Sequence, residues 1–475
     1  MKSWLRRYGA WLCAAVYAVG VAAVAIRHEP WADEAQAWLI ARDSNPVEMA
    51  VDVLRYEGHP ILWYLVLTPF AKTLPYGAMT VVAVLFGIAG ALLWTLRSPV
   101  PLAVRLAVPF TYFLFYQYAV VARSYVLLPL LMFWLAHEYP RRHERPRRFV
   151  LICILLTFTS VFPAVGAGCV MLAFFVEALL RRAELSTQEK RSYWLCFGAY
   201  VAAGFFLIYQ LWQPENSTFY RWNLNWKGAF NMAKYALNAS MTERWLLTLP
   251  IVAVSLVWFY FRRTLFIYIA PTLCILTLFG IKYFNGWHEG VLVLWWLFAV
   301  WVSFDKSIEP RKWEPNWMRW ATAAACLTFC AVQIFWTVQV SRGDWSGEYS
   351  PGKRLSAAVK ERGLENGNVI GLNFWSTTFQ PYFQNNLFSN HNGGNPPAYW
   401  RWEKPPNKHG WGDSVARDKD IEKLLEGKPD AIVVSRPGRE FDGYERLDFE
   451  GNMYWKNRIK EDNRAALYIR KDWEP

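Results

Sequence analysis

Long apolar runs separated by short basic loops fill the first 340 residues, and a mixed polar pattern fills the rest. The runs lie at 1–26, 77–96, 105–121, 124–139, 149–163, 164–181, 192–212, 244–262, 264–284, 289–304 and 319–340, and they predict about eleven membrane crossings. Each approaches the roughly 20 apolar residues that a spanning helix needs. Lys2, Arg6 and Arg7 precede the first run, and no small-residue cleavage site stands out before His28, so the first run is expected to stay as a span. The segment 59–74 reads, from charge parity, as an interfacial or re-entrant helix, because counting it as a crossing would put every later basic loop outside; its length of about 15 apolar residues agrees.

The tail reads differently. A helix-like stretch at 352–363, a strand at 368–374, a helix at 418–426 and strands at 431–435 and 466–470 predict a small α/β domain, with an irregular stretch at 389–412. The expected fold class is therefore a mainly α, polytopic membrane protein over 1–340 with a soluble α/β domain over 341–475. No internal repeat or low-complexity tract is present.

Charge placement orients this layout. The net charge is +13, with 54% hydrophobic and only 19% charged residues, which excludes disorder. Residues 1–340 hold 30 Lys and Arg against 18 Asp and Glu, whereas 341–475 hold 21 against 20. A nearly neutral tail gives no electrostatic footprint for nucleic acid. The excess sits in loops at 97–105, 141–148, 181–191, 262–263 and 306–319, and all of these are cytoplasmic if the N-terminus is cytoplasmic and 59–74 does not cross. Segments 28–76, 213–243 and 341–475 then face outward. All seven cysteines lie in the apolar part, with neither a disulfide framework nor a CxxC metal spacing.

The first outward segment is acidic and holds PWADEAQAWLIAR, an amphipathic surface helix after Pro30. Neighbouring helical residues point about 100° apart, so Asp33 and Glu34 cannot aim at one reacting atom. Acids at a helix start also complement its dipole. Arg123 stands alone between two apolar runs, and Lys282 and His288 stand at the ends of two later ones. Such cations either snorkel to the interface or surround an anion. Phosphate-loop, dinucleotide, HExxH and GxSxG motifs are absent, and His59, His288, His391 and His409 are too scattered for metal ligation. Tyr399, Trp400, Trp402 and Trp411, among Asn and Gly, suit stacking on sugar faces or packing of the tail at the membrane boundary.

Trp31-Ala-Asp33-Glu34-Ala, Gly58-His59-Pro60-Ile-Leu and Ala122-Arg123-Ser-Tyr125 occur in that order on one expected side. This combination resembles the GT-C superfamily of polytopic glycosyltransferases, in particular the protein O-mannosyltransferase, aminoarabinose-transferase and bacterial lipopolysaccharide glycosyltransferase group. The likeness covers roughly residues 1–200 in motif and the rest in layout; Ile61 replaces the second proline of the usual His-Pro-Pro-Leu. The resemblance implies inverting sugar transfer from a polyprenyl-phosphate donor to a glycan, lipid or protein acceptor, at the outer face of a bacterial inner membrane. It implies Asp33 as general base with Glu34 beside it, and Arg123, Lys282 and His288 around the donor phosphate. His59 and Tyr125 are implied as positioning groups, with Trp400 and Trp402 on the acceptor. No cofactor is certain; a divalent cation could use Asp33 and Glu34, but two carboxylates are an incomplete site. The rival expectation is a transporter or flippase of lipid-linked oligosaccharide, against which stand the lack of internal symmetry and the 135-residue tail.

Overall fold

A computed structural model describes residues 2–218, 226–404 and 418–474. Among these, six helices are long and apolar enough to cross a membrane: Tyr8–Ala25, Ala78–Arg97, Val161–Leu180, Thr187–Leu211, Gly286–Phe304 and Met318–Ser346. A seventh candidate is the pair Trp226–Met241 and Trp245–Phe261, bent by 88°. The protein is thus mainly helical, with strands confined to the C-terminal part.

The expected count of eleven differs because hydropathy does not register interruptions. The run 105–121 is helical only to Ala107, breaks into a short turn containing Pro109, and continues as an irregular segment through Arg123. Its aromatic side chains Tyr112, Tyr116 and Tyr118 are buried, so the segment is held by packing rather than by a regular helix. The runs at 124–139 and 149–163 become Leu128–Glu138 and Pro146–Thr157, of 11 and 12 residues. The segment 59–74 contains the ten-residue helix Leu62–Ala71.

Segment 213–243 has no loop character in its second half. Helix Trp226–Met241 packs on Leu265–Ile281 where a Cβ on Gly280 would lie 2.5 Å from the Ala229 Cβ. A second close approach seats the irregular segment: a Cβ on Gly290 would fall 2.6 Å from Phe113 and Tyr118.

The basic loops gather at one end of the helices. Arg97, Arg141 and Asp305 all act electrostatically on His137. Arg142 and His143 pair with Glu177, and Arg262 donates to the carbonyls of Ser303 and Asp305. The opposite end carries helix Ala32–Asp43 and the C-terminal part.

In the C-terminal part, strands β1 (Val369–Gly371), β2 (Ala431–Ser435), β3 (Tyr444–Phe449) and β6 (Ala465–Arg470) form one sheet in the order β1-β2-β6-β3. β1 and β2 are parallel, and β6 is antiparallel to both neighbours. Alternation along the strands sends Val369, Val433 and Leu467 to one face, against Leu355 and Val359 of helix Gly352–Glu361. Ile370, Ile432 and Tyr468 go to the other face, against Ile421 of helix Asp418–Glu426. β4 (Asn452–Trp455) and β5 (Arg458–Asp462) form a separate hairpin that reaches the helices. Trp455 lies 5.4 Å from the Tyr112 ring, and Lys456 is fully buried with its Nζ 2.7 Å from Glu289 and 2.8 Å from Glu243. Helix Met318–Ser346 runs through position 340, and one hydrophobic core joins Trp400 and Trp455 to Trp287 and Tyr112.

Candidate functional site

The first turn of helix Ala32–Asp43 places its two acids in different surroundings. Glu34 is fully buried. Its Oε1 accepts from the Ala122 amide at 2.6 Å, and its Oε2 accepts from the Trp31 amide at 3.2 Å and meets His28 Nε2 at 3.2 Å. His28 Nδ1 lies 2.8 Å from Asp344 Oδ2, which also accepts from the Tyr116 hydroxyl at 2.8 Å. Burial alone would lower the His28 pKa, but Asp344 and Glu34 outweigh it and raise it to about 10. Glu34 is therefore the middle of a buried chain that ties the surface helix to the Arg123 segment and to helix Met318–Ser346.

Asp33, one residue earlier, points into a cavity of about 990 Å³. Its Oδ2 is 2.9 Å from Arg123 Nη1, and about 24% of its side chain is open to the cavity. Burial pushes its carboxyl above the usual range; Arg123 opposes this, while Glu461 and Glu34 reinforce it. Arg123 is held between aromatic rings, with its guanidinium 4.8 Å from Trp287, 5.7 Å from Tyr125 and 5.8 Å from Trp31. Its contact with Asp33 falls outside hydrogen-bond angles, so the buried Nη1 has no aligned acceptor.

Two further titratable groups line the cavity near this pair. His59 is lowered to about 3, first by burial and then by Arg123, and is a neutral imidazole. Glu57 is raised to about 8, chiefly by burial, and accepts from Gln36 at 2.6 Å.

The residues expected from sequence divide accordingly. Asp33, His59, Arg123 and Trp402 line the cavity. Tyr125 lies beneath Arg123 and stacks on Tyr118 at 5.4 Å. Glu34, Lys282, His288 and Trp400 do not line it. His288 is buried, accepts from the Asn285 amide at Nδ1 over 2.9 Å and sits 4.6 Å from the Phe162 ring, so its Nδ1 is committed to a turn. Lys282 ends helix Leu265–Ile281, and the residues just after it, Tyr283 and Asn285, face the cavity instead. Trp400 is buried beside His391, and its backbone exchanges hydrogen bonds of 2.8 and 2.5 Å with Gln36. Tyr399 is buried too, while Trp411 and His409 lie outside the described residues. Among the described residues, no group of three or more His, Cys, Asp or Glu is gathered as a metal site, and Asp33 and Glu34 diverge.

Sequence reading misses Trp375, Lys404, Arg436 and Glu461, which the C-terminal part brings to the cavity wall. Arg436 follows β2 in a left-handed backbone conformation, φ 56°, and its guanidinium lies 4.1 Å from the Trp375 ring. Trp375 stacks in turn on Trp31 at 5.4 Å. In a tail rich in both charge signs, no local signal marks Arg436 as different from a solvated arginine. The chain matches no known family model, no curated protein and no solved structure.

Proposed function

We propose that the chain is an inverting glycosyltransferase that moves a sugar from a polyprenyl-phosphate donor to a glycan, lipid or protein acceptor at the outer face of a bacterial inner membrane. The observation that carries this reading is the Asp33–Arg123 pair at the wall of a large cavity, where a carboxylate meets a buried guanidinium with an unaligned donor.

In this reaction the acceptor hydroxyl oxygen attacks the anomeric carbon, and its proton passes to Asp33. The bond between the anomeric carbon and the phosphate oxygen breaks, and its electron pair stays on the phosphate. Arg123, which lines the cavity, stabilises that developing charge. Neutral His59 suits orientation of a hydroxyl, and Trp375 and Trp402 offer faces on which sugar rings stack. The basic loops lie at the end opposite the cavity, which agrees with a cavity on the non-cytoplasmic side.

The test is transfer of radiolabelled sugar from a polyprenyl-phosphate donor by the purified protein, with Asp33→Asn as control. Transfer that depends on Asp33 supports the enzyme. Movement of lipid-linked oligosaccharide across a vesicle membrane without chemical transfer would replace it with a flippase.

A further inference from the structure

We propose that Lys460, on the β4–β5 hairpin of the C-terminal part, is the second cation of the phosphate site and acts with Arg123, so that the site is shared between the helices and the tail. This rests on the donor reading given above.

Lys460 and Arg123 converge on one indole. Lys460 Nζ lies 4.2 Å from the Trp287 ring centroid and the Arg123 guanidinium 4.8 Å from the same centroid. Lys460 lies just behind the cavity wall: its Nζ donates to Asn285 Oδ1 at 2.5 Å, and both Asn285 and the next hairpin residue, Glu461, line the cavity. An ammonium has three donors, so a neutral amide and ring faces leave it unsaturated.

The carboxylates that act on Lys460 are Asp33, Glu461 and Glu289. Each already faces another cation: Asp33 faces Arg123, Glu461 pairs with Arg436, and Glu289 pairs with Lys456. Among the described residues, Lys460 has no ion pair within 4.0 Å. Two cations are thus held on one ring, with Asp33 the carboxylate that acts on both, and burial, together with Arg123, opposes protonation of the lysine.

The charge count points to a phosphate in particular. A sugar–phosphate–lipid diester carries one negative charge, which Arg123 can meet. When the anomeric carbon–oxygen bond breaks, the electron pair left on the phosphate makes it a dianion. Lys460, across the Trp287 ring from Arg123, supplies the charge that neutralises it, an interaction stronger in the transition state and product than in the bound donor. A carboxylate ligand would never develop the second charge.

The experiment measures binding of a long polyprenyl phosphate to the full-length protein in nanodiscs, for wild type, K460Q, K460R and R123Q, with inorganic phosphate as a parallel probe. K460Q is expected to bind polyprenyl phosphate about tenfold or more weakly, the size of one charge-assisted hydrogen bond. K460R should stay within about threefold of wild type, since it restores the charge. In turnover, K460Q should lower kcat more than it raises the donor KM. K460Q binding at wild-type strength, while R123Q does not bind, would overturn the role of Lys460 and leave the donor reading intact. Wild type that fails to bind polyprenyl phosphate overturns both. Inorganic phosphate bound as tightly, with the same dependence on Lys460, supports the phosphate site and overturns its lipid source.

A second readout needs only well-folded protein. Burial lowers the Lys460 pKa to about 8, so wild-type affinity should fall as pH rises through that value. Glu57 is raised to about 8 and would ionise over the same range. The fall should be lost in K460R, because arginine stays charged; its persistence there would assign the titration to Glu57 and overturn the proposal.

Discussion

Replacing Asp33 with Asn removes a charge and keeps the side-chain volume, which makes it the sharpest test of the site. The change acts on two quantities that the structure separates. Stability should change little: the Asp33 side chain is about 24% open to the cavity, so its 2.9 Å contact with Arg123 is screened. The expected cost is about 1 kcal/mol, well below that of a sealed ion pair. Turnover should change greatly, because a positioned general base contributes about 10²–10⁴ in rate, or roughly 2.7–5.5 kcal/mol of barrier. The donor KM should not rise, since the variant leaves Arg123 with less competition for phosphate. The assay is single-turnover sugar transfer at saturating polyprenyl-phosphate donor, with a thermal melt of the same preparation. In wild type the rate should also fall toward acid pH earlier than an ordinary carboxylate would dictate, because burial raises the Asp33 pKa and the base works only when ionised. A variant that keeps more than about a tenth of the wild-type rate would refute the general-base assignment.

The neighbouring acid should behave in the opposite way. Glu34→Gln disturbs the contacts to the Ala122 and Trp31 amides and to His28, so it should lower stability by about 1–3 kcal/mol while turnover per folded molecule changes less than tenfold. His28 is raised to about 10, so its contribution to stability is complete below its ordinary pKa of about 6.5 and is lost as pH rises through about 10. His28→Gln should flatten the melting temperature between pH 7 and pH 10, and a variant with the wild-type pH profile would contradict the buried carboxylate–imidazole chain. Trp402→Ala should raise the acceptor KM about fivefold with a nearly unchanged melt, while buried Trp400→Ala should cost about 3–5 kcal/mol of stability. The reverse pattern in KM and melting temperature would exchange their roles.

How much of this was legible in sequence depended on how locally each feature is encoded. The helix Asp418–Glu426 emerged at the expected position because Ile421, Leu424 and Leu425 recur at helical spacing, and the strand Ala431–Ser435 because it is a short apolar, β-branched run buried on both faces. The hairpin Asn452–Asp462 did not, since its apolar members find their partners among the helices rather than in its own sheet. The apolar run at 105–121 was overread because an irregular aromatic segment buried in protein has the same hydropathy as a spanning helix. At the site, Arg123 could be singled out because a lone cation in an apolar run has no bland neighbours. The same logic failed for His288 and Lys282: the first is absorbed by the Asn285 turn, and neither lines the cavity. Lys460 and Arg436 were invisible because a half-buried lysine and a cavity-facing arginine read like any others in a charge-rich tail.

The socket around Lys456 couples the helices to a hairpin far along the chain. Glu289 and Glu243 receive their shared counter-ion from a residue 213 positions beyond the second of them. Until the hairpin docks, Glu289 and Glu243 lack that ammonium, and a buried carboxyl without a cation takes up a proton instead. Docking the hairpin therefore exchanges a proton for the Lys456 ammonium, so the joint between helices and tail should tighten as pH rises and ionises the two acids.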